Sequence, residues 1–239
     1  MRWLILLFSL ALLPVRASVF PGMPGTGVPW YKAPSAFSPS DISGMAFYWN
    51  HNDLSVGTVT TWTDRIQGLG FTQGDSSKRP TNSTTGVWFD AGKQLTNSMA
   101  DQGLRVSVWF DFTSQNPQNS GWQCIVCDKG ATTGWFLLSS SPRIQDFAPG
   151  GSNTKLCDMA SGVNYVVCRT QPVTTGKFYT NNVQGANPPA AVTGWILNSM
   201  GSDNFSENYA GYIRFLAVWT NYDFTATDVQ NLYTYSSTH

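Results

Sequence analysis

The chain has 239 residues with 14 basic and 14 acidic side chains, and charged residues make up only 12% of it. A chain so weakly charged lacks the basic surface that binds nucleic acid or an anionic membrane, so neutral polar and aromatic groups would carry any recognition. Its length is sufficient for one large all-β domain with a substantial core.

The N-terminus has the pattern of a secretory signal peptide. Arg2 supplies a positive start, an apolar run extends from Trp3 to Leu13, and Val15-Arg16-Ala17 occupies the cleavage positions. The apolar run is too short to cross a bilayer, so we predict removal of residues 1–17 and a secreted or cell-surface protein. An uncleaved membrane anchor is the alternative.

The next segment, residues 18–39, is rich in proline and glycine. Such a composition disfavours a sheet ladder and a core, so we predict an extended arm or linker, although Trp30 and Tyr31 are unusual in a pure spacer. The arm would precede a single domain spanning residues 40–239.

From residue 42 onward, short β-rich runs alternate with clusters of Gly, Asn, Ser and Pro. This spacing is typical of a sandwich or barrel. In residues 105–112, Val106, Val108, Phe110 and Phe112 alternate with more polar residues. This alternation indicates a strand with one buried face and one solvent-exposed face. The predicted strands are Ala46–Trp49, Val59–Asp64, Val87–Asp90, Arg105–Phe112, Cys124–Asp128, Trp135–Ser139, Arg143–Phe147, Asn164–Arg169, Lys177–Thr180, Trp195–Asn198 and Tyr212–Thr220.

The stretch Thr61–Pro80 is either a ligand-binding loop or a turn that joins two strands. Trp62 would end a strand with its ring in the core, Asp64 would accept backbone N–H groups of the turn, and Arg65 would pair with a carboxylate or carbonyl. We favour the structural turn.

Four cysteines remain after the signal peptide: Cys124, Cys127, Cys157 and Cys168. An even number in an exported protein favours disulfides, with three possible connectivities. Cys124 and Cys127 have the spacing of a zinc or redox motif, but their segment is typical of a strand and no similarly spaced second pair follows. A bond between Cys157 and Cys168 across a hairpin is the simplest prediction.

One helix is predicted, from Ala226 to about Tyr233. Thr225 would be its N-cap and Asp228 its third residue, forming a capping box.

The order of these landmarks resembles the laminin-G-like branch of the concanavalin A-like lectin/glucanase superfamily. The residues that carry the resemblance are Phe47-Tyr-Trp49, Val59–Arg65 with Gly68, Arg79-Pro80, Gly86–Asp90, Phe178–Asn182, Gly211–Trp219 and Phe224–Val229. The resemblance implies an all-β, two-sheet antiparallel jelly-roll sandwich that ends with a short helix.

Enzymes of this superfamily place paired carboxylates on one strand. The chain contains a single glutamate, Glu207, and no two aspartates lie two apart on a predicted strand. His51 is the one histidine available for a Ser-His-Asp triad besides the terminal His239, and no nucleophile elbow accompanies it. We therefore expect no enzymatic activity, with glycan degradation kept as a weak alternative.

The resemblance also implies calcium, which laminin-G-like domains often bind with loop oxygens. Asp203, Asn204 and Glu207 form the densest oxygen cluster, and residues 50–53 form a second one. A solvated polar loop is the alternative for each.

Nine of the ten tryptophans follow the signal peptide. Trp109, Trp122 and Trp135 are candidates for an exposed aromatic face that stacks on sugars, and the hairpin tyrosine Tyr179 is a fourth. Each could instead simply cover the sheet.

Together these features predict an exported, non-catalytic module that binds carbohydrate or a surface glycoconjugate. Calcium is the one candidate cofactor. The main alternative is a structural, adhesive or virion-associated protein whose sandwich contacts other proteins.

Overall fold

The computed structural model describes residues 36–90, 92–103, 105–115, 123–128, 134–138, 143–147, 153–171, 176–186, 196–202 and 208–239. Phe37–His239 form one compact unit. The predicted signal peptide and all but the last residues of the predicted arm lie outside the described residues, so both stay predictions. Within the described part, no helix combines the length and the apolar character that crossing a membrane requires.

The described residues of this unit form seventeen strands. In chain order they are β1 (Met45–Asn50), β2 (Gly57–Thr58), β3 (Thr61–Thr63), β4 (Gly70–Thr72), β5 (Thr81–Ser83), β6 (Gly86–Phe89), β7 (Leu95–Thr96), β8 (Val106–Ser114), β9 (Gln123–Cys127), β10 (Gly134–Leu138), β11 (Arg143–Phe147), β12 (Asn153–Asp158), β13 (Asn164–Gln171), β14 (Lys177–Thr180), β15 (Val183–Gln184), β16 (Ser199–Met200) and β17 (Gly211–Thr220). Three short 3-10 helices, Pro39–Asp41, His51–Asp53 and Ser76–Lys78, lie between them.

The strands form two antiparallel sheets. Sheet A has the order β15-β14-β13-β8-β17-β6-β5-β2, and β1 also pairs with β17. Sheet B has the order β12-β11-β10-β9-β16-β7-β4-β3. The strand pairs within each sheet are antiparallel, which confirms the predicted all-β, two-sheet sandwich.

The central strand of sheet A is β17. One of its edges pairs with β8, and its other edge is shared by β6 at Gly211–Ile213 and β1 farther along. A β-bulge between Ile213 and Phe215 interrupts the register with β8. Ile213 and Leu216 belong to the core between the sheets, whereas Phe215 packs on the other face. The extra bulge residue therefore places Arg214 and Phe215 on the same outer face.

The core between the sheets follows the predicted alternation of β8. Val106, Val108, Phe110 and Phe112 are all fully buried there, together with apolar residues of sheet B such as Ile125. Burial of side chains of this size contributes about 1.5–3 kcal/mol each, so the alternation fixes which face of β8 turns inward.

The C-terminal helix α1 (Ala226–Thr238) begins with the predicted capping box. The Thr225 hydroxyl accepts from the Asp228 backbone at 3.2 Å, and the Asp228 carboxylate accepts from the Thr225 backbone at 2.8 Å. The helix extends five residues beyond the predicted end. Val229 and Leu232 pack on the outer face of sheet A, so α1 buries part of that face beneath it.

Several strand predictions were inaccurate, and the short strands Gly57–Thr58, Gly70–Thr72, Thr81–Ser83, Leu95–Thr96 and Val183–Gln184 were not predicted. The strand Asn153–Asp158 was not predicted, because its polar residues lack a clear apolar alternation. A strand was predicted up to Asn198, whereas the pairing with β9 and β7 occurs at Ser199–Met200.

Candidate functional site

A row of partly exposed side chains crosses the outer face of sheet A beyond the end of α1. The register aligns Asn164 with Thr113, Thr113 with Tyr212, and Tyr212 with Trp88 on four neighbouring strands. Residues directly opposite each other in adjacent strands point to the same face. The row therefore places an amide, a hydroxyl, a phenol and an indole side by side.

The aromatic half of the row consists of Trp88 and Tyr212. Their ring centroids are 4.8 Å apart and the rings are tilted by 50°. The Trp88 indole N–H donates to Asp90 Oδ2 at 3.1 Å, which fixes the orientation of the ring. Val87 and Phe89 on either side of Trp88 are fully buried in the core, so the alternation of β6 turns Trp88 outward.

The polar half of the row opens into a cavity of about 290 Å³. Its walls come from the turn between β5 and β6, from the C-terminal end of α1, and from the strands of sheet A. The lining residues are Thr84 and Thr85 of the turn, Ser236 and Ser237 of the helix, and Thr113, Asn164 and Arg214 of the strands.

Arg214 is held at the cavity by a buried carboxylate. Its Nε and Nη2 donate to the two oxygens of Asp111 at 3.0 and 2.5 Å, and Nη2 also donates to the Ser236 carbonyl at 3.1 Å. Asp111 is fully buried, and this burial raises its pKa against the lowering effect of the Arg214 guanidinium. A Cβ at Gly86, whose φ is +141°, would lie 3.0 Å from Arg214 Cγ, so glycine leaves room for the guanidinium stem.

His51 lies beneath the same region. It is only 2% exposed, and its ring packs edge-on against Phe215 with centroids 5.9 Å apart. Neither ring nitrogen has a hydrogen bond of good geometry, although the Ser83 backbone and the Asn82 side chain lie beside the ring. Burial and the nearby Arg214 charge both lower the pKa of His51, so the ring is neutral at pH 7. His51 is therefore a core residue and not the loop residue that its sequence context indicated.

Two of the four predicted aromatic ligand-binding residues are buried. Trp109 is fully buried and stacks on Phe215 with centroids 5.3 Å apart, because α1 covers this part of the outer face and brings Tyr235 against it. Tyr179 is 7% exposed and packs in the same cluster. The prediction that Trp109 belongs to an exposed aromatic face is wrong, and the buried Tyr179 ring presents no exposed face to a ligand either.

The remaining predicted site residues cannot be placed. Trp122 and the predicted calcium ligands Asp203, Asn204 and Glu207 lie outside the described residues, as does the Trp135 side chain on β10. No group of three or more potential metal ligands occurs in the described part of the chain. The calcium site stays a prediction.

The predicted Cys157–Cys168 disulfide is not formed. Cys124 and Cys127 are bonded to each other, and both Cys157 and Cys168 are free. Strand β12 with Cys157 belongs to sheet B, whereas β13 with Cys168 belongs to sheet A. The two strands are therefore not a hairpin, and the Cys168 thiol turns outward beneath α1 while Cys157 packs against the core between the sheets.

The turn after Trp62 has the structural role predicted for it. The Asp64 carboxylate accepts from the backbone N–H groups of Ile66, Gln67 and Leu69 at 2.7, 3.1 and 2.6 Å. Trp62 is fully buried. Arg65 pairs with Asp53 at 2.5 Å, so this segment is scaffold.

No family model and no curated protein match the chain. Among solved structures, it is similar to Trypanosoma rangeli sialidase, with a TM-score of 0.64, 12% identity and 82% of this chain covered. The same sialidase in complex with sialic acid matches with a TM-score of 0.60, 10% identity and 82% coverage. In both cases the chain spans only 33% of the sialidase.

A third similar structure is Domain 4 of AbnA, a GH43 extracellular arabinanase from Geobacillus stearothermophilus, in complex with arabinotriose. Its TM-score is 0.54 at 12% identity, and the match covers 79% of this chain and 97% of that domain. At such low identity, these likenesses show a shared β-sandwich fold. They do not show the concanavalin A-like superfamily that the landmarks resemble.

The comparisons overturn the prediction that the chain is not an enzyme. The similar structures are sialidases and a domain of an arabinanase, so the fold occurs within glycosidases. The prediction depended on missing carboxylate pairs, and sialidases are an exception to that rule because they use a tyrosine nucleophile. The shortage of glutamate therefore gives no ground for excluding glycoside cleavage.

Trp88 and Tyr212 were not among the predicted site residues. The alternation Val87-Trp88-Phe89 would have identified Trp88, because an indole between two core residues must point away from the core. Tyr212 and Arg214 carried no such signal, since their positions depend on the bulge in β17.

Proposed function

We propose that the chain is an exported carbohydrate-binding protein and that the outer face of sheet A binds the sugar. The observation that carries the proposal is the partly exposed Trp88–Tyr212 pair beside the cavity at Arg214. Aromatic rings present apolar faces to the C–H groups of a sugar, while their polar edges stay hydrogen-bonded. The cavity beside them supplies hydroxyl, amide and guanidinium groups for the sugar hydroxyls, a combination typical of ligand sites.

The fold supports the same proposal. The arabinanase domain that this chain resembles was solved with arabinotriose, and the sialidase was solved with sialic acid. The proposal includes three predictions from the sequence. They are a secretory signal at residues 1–17, membership of the concanavalin A-like superfamily, and calcium bound by Asp203, Asn204 and Glu207.

The test is an oligosaccharide array that includes arabinotriose, probed with the purified full chain in calcium and again in EDTA. We expect saturable binding that is lost in Trp88→Ala and in Tyr212→Ala. Tyr222→Ala is the matched control, because Tyr222 is a similarly half-buried tyrosine near the other end of α1. Loss of binding in EDTA would support the calcium site.

Two results would overturn the proposal: binding to no oligosaccharide in either buffer, or binding that Trp88→Ala and Tyr212→Ala leave unchanged. A parallel assay for released reducing ends determines whether a bound oligosaccharide is also cleaved.

A further inference from the structure

The cavity contains a cation whose charge is already compensated. Arg214 is the one charged residue among its lining residues, and both oxygens of Asp111 accept hydrogen bonds from it. Its Nη2 also contacts the Ser236 carbonyl at the C-terminal end of α1, where the helix dipole is negative. An anion entering the cavity would therefore meet a paired arginine and a negative helix end, and would gain little attraction to replace its lost hydration.

Hydrogen-bond donors nevertheless remain available. Nε and Nη2 of Arg214 are occupied, whereas the two Nη1 hydrogens have no partner among the described residues, and a fifth of the side chain is exposed. The Ser236 hydroxyl is fully buried and lies against the Asp111 carboxylate, so it is not available to a ligand. Unpaired polar groups at a cavity are costly and are satisfied when a ligand or water supplies the missing partner.

The other lining groups are neutral. They are the hydroxyls of Thr84, Thr85, Thr113 and Ser237 and the amide of Asn164. The volume of about 290 Å³ lies just below the usual range for small-molecule pockets, about 300–1,000 Å³. The cavity is therefore suited to a small, uncharged ligand with many hydroxyl groups.

We propose that the cavity binds one uncharged sugar residue at the end of an oligosaccharide and discriminates against carboxylate-bearing sugars. Arg214 donates through Nη1 to an acceptor oxygen of this residue, and the next sugar lies on Trp88 and Tyr212. This inference rests on the proposed function and deepens it by naming the ligand class. It differs from what the sialic acid complex of the similar sialidase alone would suggest, since sialic acid is anionic.

The first test changes the ligand and leaves the protein intact. Calorimetry on the full chain would compare an arabinose-, galactose- or glucose-terminated trisaccharide with the same trisaccharide whose terminal primary hydroxyl is oxidised to a carboxylate. We expect the oxidised ligand to bind at least 10-fold more weakly at pH 7. Equal or tighter binding of the oxidised ligand would overturn the inference, and if Trp88→Ala still abolished that binding, the proposed function would survive.

The second test changes the charge at the rim. Ser237 is exposed and lines the cavity, so Ser237→Lys would place a cation there without disturbing the fold, and the helix C-terminus tolerates it. We expect the preference for the uncharged ligand to shrink by at least 3-fold. Thr61→Lys, at an exposed position on sheet B, is the control and should leave the preference unchanged. An unchanged preference in Ser237→Lys would place the sugar elsewhere, and a chain that binds neither ligand would overturn both proposals.

Discussion

Asp111 is fully buried in sheet A and accepts two hydrogen bonds from the guanidinium of Arg214, a residue that the β-bulge in β17 turns to the same face. The pair joins the centre of the sheet to the end of α1, because Arg214 also contacts the Ser236 carbonyl. The buried Asp111 carboxylate therefore fixes the position of Arg214, which lines the proposed sugar site.

Removal of the guanidinium should destabilise the protein strongly. In Arg214→Gln, Asp111 stays buried without its counter-ion, and we expect a loss of about 3–5 kcal/mol in the free energy of unfolding at pH 7. The loss should shrink as the pH falls, because burial already raises the pKa of Asp111 and protonation removes its uncompensated charge. Urea denaturation measures both values.

The control is Arg105→Gln, which breaks the half-exposed ion pair of Arg105 with Asp223. A solvent-exposed pair of this kind contributes little to stability, so Arg105→Gln should lower the free energy of unfolding far less than Arg214→Gln. If Arg214→Gln and Arg105→Gln lowered the free energy of unfolding by similar amounts, burial of Asp111 would not explain the loss.

His51 should make the protein less stable in acid. Its pKa in the folded state is lowered, so below the ordinary value near 6.5 the unfolded chain binds more protons than the folded one. Stability should therefore fall as the pH drops from about 6.5 towards the folded pKa of His51, and should not depend on this residue above pH 7.

His51→Phe should flatten that pH dependence, since phenylalanine keeps an aromatic ring in this buried site and does not titrate. Urea denaturation between pH 5 and 7.5 measures the slope. If the free energy of unfolding changed with pH equally in His51→Phe and in the unmodified chain, His51 would not be the source of the acid sensitivity.

The two outer-face tryptophans should respond in opposite ways to truncation. Trp109→Ala empties a buried site beneath α1 and should cost about 3–5 kcal/mol in the free energy of unfolding. Trp88→Ala should cost clearly less, because the indole is partly exposed, while abolishing sugar binding. A folded Trp109→Ala that has lost sugar binding at full stability would instead assign the binding role to Trp109.

The N-cap of α1 should contribute measurably to stability. Thr225→Ala leaves the Asp228 backbone N–H without its partner and should cost about 1 kcal/mol. Thr234→Ala, at an exposed position within the helix, should change stability by at most about 0.5 kcal/mol. Chemical denaturation of the two variants measures the difference, and equal values would mean that the cap is dispensable.

Cysteine reactivity should reveal the disulfide pairing. In denaturant without reductant, two thiols should be alkylated, and peptide mapping should assign them to Cys157 and Cys168. In the folded protein Cys157 should react first, because Cys168 is fully buried and burial raises its pKa. Alkylation of Cys124 or Cys127 without reductant would contradict the observed bond.

Local patterns were sufficient to predict the elements that depend on neighbouring residues. The Thr225–Asp228 capping box and the turn organised by Asp64 were both predicted from a few adjacent residues, as was the alternation of β8. Each depends on contacts within about five positions of the chain or on the side-chain period of a strand.

Features that depend on distant parts of the chain could not be predicted in this way. Trp109 does lie on the outer face, as its alternation indicates, but a helix more than a hundred residues later covers it. The Cys157–Cys168 prediction assumed a hairpin, and only the division of the strands between two sheets shows that none exists. Arg214 reaches the cavity through a bulge that has no sequence signature.

The position of β17 has a consequence for how the protein is made. This strand forms the centre of sheet A, yet it follows all the other strands in the chain, and its partner β1 precedes them all. Nearly the whole sequence must therefore be synthesised before β17 can pair with β1, β6 and β8 at the centre of sheet A. Until then the apolar residues of β1, β6 and β8 lack their central neighbour, and surfaces of this kind are the ones through which incomplete chains aggregate.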